Sequence, residues 1–239
     1  MKTRTQLLLL PGLACDGESW THQSAHFSAI TAVRVADYGA SDSIQAMGRA
    51  ALRDVTGRFA IAAHSMGGRV AFEIYRSEPE RVAGLALLDT AYRGQAAGKA
   101  AELERAARME LVEIADRQGM RAMARHWIRN MVHPERLADA AFVERIVAMF
   151  DRKSPEIYRA QVNALLNRPD ATPVLATICC STLVLCGRED TWSPVEQHEE
   201  IASRIAGSKL KVIERCGHMA PMECPEEVTA AVDEWFKAL

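Results

Sequence analysis

The sequence lacks any long apolar run. Leu7–Leu10 follows the polar start Met1–Arg4, but Pro11 and Gly12 end it short of a signal-peptide core. Nothing else approaches the roughly 20 apolar residues of a membrane span, so no membrane association is expected and the chain reads as cytoplasmic. It also lacks an excess of one charge. Lys and Arg total 29 against 31 Asp and Glu, a formal net charge of -2, which leaves no field to gather phosphate backbones or anionic lipid. Nucleic acid is therefore not an expected partner. The six cysteines, Cys15, Cys179, Cys180, Cys186, Cys216 and Cys224, show no paired C-x-x-C spacing, which argues against a zinc or disulfide framework. They read as reduced cytoplasmic thiols, and no metal is expected. Internal repeats and low-complexity tracts are absent as well.

What is present is the alternation of a parallel sheet covered by helices. The chain's 239 residues suffice for one large α/β domain with a substantial core. Short β-rich runs occur at Gln6–Leu10, Val33–Ala36, Phe59–Ala63, Val82–Leu88, Thr182–Cys186 and Lys209–Ile213. Helical patterns fall between or after them at Ile44–Val55, Met66–Arg76, Pro194–Ile205 and Glu226–Phe236. From about Gln95 to Ala171 only helical periodicity is found, with Leu103, Ala107, Leu111 and Ile114 as one stripe and Phe142, Ile146 and Phe150 as another. Pro134, Pro155, Pro169 and Pro173 divide that stretch into several helices. The expected organisation is a core domain formed by residues 1–94 and 172–239, with residues 95–171 inserted as a helical cap. The competing reading is that these helices merely complete the outer layer.

Phe59-Ala60-Ile61-Ala62-Ala63-His64-Ser65-Met66-Gly67-Gly68 runs from an apolar strand straight into a helix. A serine on so tight a turn needs small residues two before and two after it, and Ala63 and Gly67 supply them. The helix that follows points free N–H groups and its positive dipole end at the reacting oxygens. Ala63 departs from the first glycine of G-x-S-x-G by one methyl group. A serine that only caps the helix is the plainer alternative.

With this elbow the chain resembles the α/β-hydrolase superfamily, whose triad runs in the order serine, acid, histidine. The resemblance implies an α/β-hydrolase fold with about six mostly parallel strands, helices on both faces and a helical cap, the superfamily's first two strands being absent. Gly187-Arg188-Glu189-Asp190-Thr191-Trp192-Ser193-Pro194 is similar to its G-x-x-D-x-x-x-P loop and nominates Asp190 as the acid. Cys216-Gly217-His218-Met219, followed by Pro221, Glu223 and Pro225, resembles its histidine loop and nominates His218, among seven histidines, as general base. Asp89, which ends the run Val82–Leu88, competes for the acid's role, because some members place the acid there; Glu189 adds a further carboxylate. His64 is expected to pack under the elbow, and His22, His26, His126, His133 and His198 to lie on the surface or cap. The loop Pro11-Gly12-Leu13 stands where the superfamily has His-Gly, so the backbone N–H groups of Leu13 and Met66 are implied as the oxyanion hole.

Trp192, Cys15 and Trp127 are the expected pocket residues, while Met109, Met120, Met123, Met131, Met149 and Phe150 read mostly as core. Arg188, Arg125 and Arg129 are candidates to meet a substrate carboxylate, against the commoner fate of surface solvation. The expected activity is hydrolysis of a small carboxylic ester or lactone through an acyl-enzyme, without metal or organic cofactor; the expected partner is the small-molecule substrate, and the sequence leaves the oligomeric state open. Carbon–carbon bond hydrolysis and thioester hydrolysis use the same apparatus. The alternative of another class is a small-molecule binding protein of the same fold with little turnover, against which the complete triad argues.

Overall fold

A computed structural model describes residues 5–239; Met1–Arg4, the polar start in the reading of the N-terminal run, lie outside the described residues. The strands are β1 (Gln6–Leu10), β2 (Val33–Val35), β3 (Phe59–His64), β4 (Val82–Leu88), β5 (Ser181–Gly187) and β6 (Lys209–Ile213). Around them lie helices α1 (Thr21–Ser28), α2 (Ile44–Ala51) and α3 (Met66–Ser77). Between β4 and β5 come α4 (Lys99–Gln118), α5 (Met120–Trp127), α6 (Ala140–Asp151), α7 (Pro155–Leu166) and α8 (Thr172–Leu175). The chain closes with α9 (Val195–Arg204), α10 (Ala220–Glu223) and α11 (Pro225–Lys237).

The strands form one sheet in the order β2-β1-β3-β4-β5-β6, every neighbouring pair parallel. The central strands are almost wholly buried, which is why they read as continuous apolar runs instead of alternating ones. Their pleat divides the core. Leu8, Leu10, Ile61, Ala63, Leu85 and Leu87 face α2 and α3, whereas Leu7, Leu9, Ala60, Ala62, Ala86 and Leu88 face Phe27 of α1 and Val228, Val232 and Trp235 of α11. Edge strand β6 carries exposed Lys209 and Lys211, charges of the kind that keep a free edge from pairing with another chain.

The strand order reverses between β1 and β3, which is the topological switch point where open α/β sheets build their sites. Leu10 pairs with Ala63 and His64 with Leu88, so the loops leaving β1, β3 and β4 emerge side by side. Helices α4, α5 and α7 reach over these loops and close a cavity above them. Their ends follow from sequence: Asp139 caps α6, and Ser154 caps α7 with Pro155 at its first position.

Three sequence expectations need correction. Helix α1 was not expected, because Thr21–Ser28 is mostly polar and buries only Gln23 and Phe27. The inner face of α4 is Arg108, Val112 and Ala115, with Leu111 and Ile114 of the expected stripe packed partly against the core, while Leu103 of that stripe is 62% exposed. His198 is fully buried on α9, not on the surface or cap.

Candidate active site

Ser65 lies between the last residue of β3 and the first of α3 with φ 54° and ψ -117°, backbone angles that few non-glycine residues adopt. The turn closes because α3 lies very near β1: a Cβ on Gly67 would come 2.2 Å from the Leu10 carbonyl oxygen. Thr90 braces the turn by donating its hydroxyl to the Ser65 carbonyl at 2.7 Å, and its N–H donates to His198 Nε2 at 2.9 Å. The other nitrogen of His198 donates to Pro194 O at 3.1 Å, so this ring links the turn to the loop ahead of α9.

The Ser65 hydroxyl is 2.8 Å from His218 Nε2, and His218 Nδ1 is 2.8 Å from Asp190 Oδ2. The carboxylate of Asp190 also receives the N–H groups of Trp192 and Ser193 and the Ser193 hydroxyl. Burial alone would raise its pKa. The His218 imidazole and the hydrogen bonds from His218 and Ser193 outweigh that and hold the carboxyl below its ordinary value. The Leu13 N–H donates no hydrogen bond among the described residues, and that of Met66, at the first position of α3, has no carbonyl of its own helix to reach. Leu13 lines the cavity and Met66 adjoins Ser65, and neither N–H has a partner among the described residues.

Asp89 and Glu189 are placed differently. Asp89 is fully buried, accepts the Gly187 N–H at 2.9 Å through Oδ1, and leaves Oδ2 without a hydrogen bond. Burial and the nearby Asp190 push its pKa well above the ordinary carboxylate range. Its Oδ2 lies 3.8 Å from His64 Nε2. The His64 ring is itself buried, its pKa pushed down to about 3 by desolvation and His218, and it donates to the His218 carbonyl at 2.7 Å. Both shifts favour the neutral forms of the pair, and His64 sits under the elbow. Glu189 accepts the Cys216 N–H at 2.8 Å.

Glu223 is a buried residue of the histidine loop to which sequence reasoning assigned no role. Its buried carboxylate accepts the N–H groups of Gly217 at 3.1 Å and Met219 at 3.0 Å, on either side of His218, and that of His133 at 2.7 Å. The His218 N–H donates to Met131 O at 2.8 Å, so the histidine loop is tied to the segment that follows α5. Glu223 stands five residues after His218, and its place in the expected loop was the available signal.

The cavity, of about 450 Å³, is lined below by Gly12, Leu13, Ser65 and His218, and above by residues of α4, α5 and α7. Trp192, Cys15 and Trp127 all line it as expected, Trp192 being 48% exposed. Burial pushes the Cys15 thiol up to about 12. Arg188, Arg125 and Arg129 do not line it. Arg188 pairs with Glu214 and Arg125 with Glu144, all exposed, and Arg129 is exposed too. Arg108 of α4 lines the cavity instead, where the apolar periodicity of that helix gave no reason to look. Of the methionines, Met120, Met123, Met131 and Met149 are buried, whereas Met109 is exposed. Among the described residues no cluster of three or more His, Cys, Asp and Glu side chains is placed to hold a metal, and no helix is long and apolar enough to cross a membrane.

The family model of the alpha/beta hydrolase family matches residues 7–232. A thermophilic esterase from Thermogutta terrifontis, determined with malate bound, superposes with a TM-score of 0.87 at 29% identity, over 99% of this chain and 90% of the esterase. The enol-lactonase from Burkholderia xenovorans LB400 superposes with a TM-score of 0.84 at 20% identity, over 98% and 91% of the two chains. A 2-hydroxy-6-oxononadienedioate/2-hydroxy-6-oxononatrienedioate hydrolase of Escherichia coli O139:H28 is 36% identical over 89 residues, 36% of this chain and only 31% of the relative's length.

Proposed function

Because the chain belongs to the alpha/beta hydrolase family and is a hydrolase, we propose that it cleaves a small carboxylic ester or lactone through an acyl-enzyme on Ser65. The observation that carries this reading is His218, bridging Ser65 and Asp190 at 2.8 Å on each side at the floor of the cavity. In the proposed mechanism Ser65 Oγ attacks the carbonyl carbon while His218 Nε2 takes its proton. Asp190 fixes the Nδ1–H tautomer and stabilises the imidazolium that forms. The N–H groups of Leu13 and Met66 receive the oxyanion, and the dipole of α3 adds to them. His218 returns the proton to the departing alcohol oxygen. Water then enters and attacks the acyl carbon while His218 takes its proton, and His218 returns that proton to Ser65 Oγ as the acid leaves.

The cavity walls supply apolar contacts from Leu13, Leu111, Trp127 and Met131, which favour a small organic acyl group over a polymer. The 89-residue similarity to a carbon–carbon bond hydrolase supports a second reading, attack on a ketone beside the bond to be broken. A fluorophosphonate probe should label wild-type protein at Ser65, and a panel of p-nitrophenyl esters, lactones, acyl-CoA thioesters and a vinylogous diketone ranks the readings by kcat/KM. Absence of labelling together with absence of turnover across the panel would leave a binding protein in their place.

A further inference from the structure

We propose that the substrate carries a free carboxylate, which Arg108 binds while Ser65 takes the ester or lactone carbonyl at the other end of the same cavity. This rests on the reading of Ser65 as nucleophile. Arg108 lines the cavity with Ser65 and His218 and is only 8% exposed. A guanidinium so far from water needs compensating charge, and here the compensation is shared. Its Nε and Nη2 both lie 3.0 Å from Glu104 Oε1. The same carboxylate receives both arms of Arg168, at 2.7 and 2.9 Å. One carboxylate therefore serves two guanidiniums. Arg69 adds a third positive group, whose pKa is pressed down by burial and then by Arg168 and Arg108.

The remaining arm of Arg108, Nη1, makes no hydrogen bond among the described residues, and the guanidinium carbon lies 5.2 Å from the centre of the Trp192 ring. Stacking on an indole fixes the plane of the fork without consuming its donors, which suits it to a carboxylate. Leu111, one turn along α4, lines the same cavity and adds apolar wall beside Arg108. Glu110 also borders the cavity, but it is exposed to solvent and forms no ion pair with Arg108.

The test compares the 4-nitrophenyl hemiester of glutaric acid with 4-nitrophenyl valerate, an uncharged acyl chain of equal length. Arg108→Gln should lower kcat/KM for the hemiester roughly tenfold to a hundredfold, the range of a charge-assisted hydrogen bond, mostly through KM because the contact is made before and during reaction alike. Hydrolysis of the valerate should change little, and Arg108→Lys should recover part of the hemiester activity. Equal losses on both esters, or none on either, would overturn the proposal and assign Arg108 to scaffolding of α4. A second readout needs no turnover: calorimetric titration of Ser65→Ala with glutarate should show binding that Ser65→Ala/Arg108→Gln lacks. Wild type that hydrolyses the valerate but neither prefers the hemiester nor binds glutarate refutes the anion site and leaves the esterase reading intact. Glutarate binding through Arg108 in a protein whose Ser65 is silent has the opposite outcome: it upholds the anion site and removes the nucleophile.

Discussion

Ser65 is held in a positive-φ conformation by the carbonyl bond from Thr90 and by the close seat of Gly67, so its position does not depend on its own hydroxyl. Ser65→Ala should therefore fold with wild-type thermal stability and lose hydrolysis roughly 10³-fold or more. Substantial ester turnover by that variant would remove the serine mechanism. The acid can be separated from its neighbours in the same way. Of Asp190, Asp89 and Glu189, Asp190 alone meets His218 Nδ1; Asp89 meets Gly187 N–H and Glu189 meets Cys216 N–H. Removing the carboxylate that orients the base costs about 10⁴ in turnover in a worked protease case. Asp190→Asn should approach that loss, while Asp89→Asn and Glu189→Gln keep most activity. A dead Asp89→Asn beside a healthy Asp190→Asn would reassign the acid.

At the scale of elements, the position of α3 relative to β1 sets the site, because it fixes Ser65 and the Met66 N–H together. Gly67→Ala puts a methyl carbon 2.2 Å from the Leu10 carbonyl oxygen, a clash with backbone that no rotamer relieves. It should lower stability by about 1–3 kcal/mol, the usual cost of overpacking, and turnover should fall further than stability because α3 must move away from β1. Urea denaturation and ester kinetics on one preparation check both; unchanged turnover would show that α3 can shift without disturbing Ser65. The strands that flank the elbow were legible in the sequence because burial on both faces writes continuous apolar runs, and Ser65 and Asp190 each follow such a run, whereas His218 follows the edge strand β6, whose Lys209 and Lys211 face solvent. Elements held by polar contacts were not. Helix α1 buries Gln23, bonded to Pro221 O and Thr229, and α4 buries Arg108, bonded to Glu104; neither polar contact adds to a periodic apolar trace. Glu223 accepts the N–H of distant His133, and His198 that of distant Thr90, pairings that residue type alone does not reveal.

For the molecule as a whole, the ring contacts beneath the site dictate how stability responds to acid. His64 and His198 are both fully enclosed, and desolvation lowers the pKa of each from 6.5, that of His64 to about 3. In the unfolded chain both imidazoles take a proton near 6.5, whereas in the folded protein the pKa of each lies lower, that of His64 at about 3. The unfolded state thus binds more protons over that interval, and stability must fall as the pH drops from about 6.5 towards the folded values. Each histidine contributes up to about 1.4 kcal/mol per pH unit within its own window. The depressed pKa of Asp190 acts only lower, its contribution being present above about 3.9 and lost as the pH falls further. Asp89 acts in the opposite sense, since its raised pKa makes the folded state bind the extra proton above about 3.9, and this partly offsets the histidine slope. Urea unfolding between pH 8 and pH 4.5 should accordingly give a stability that starts to decline near pH 6.5. Replacing His198 by Gln, which retains an amide oxygen for the Thr90 N–H, should make that decline shallower while lowering the plateau at pH 8. A wild-type curve that stays flat from pH 6.5 to pH 4.5 would mean that these rings accept protons inside the fold, and the neutral contact between His64 and Asp89 would have to be rewritten as an ion pair.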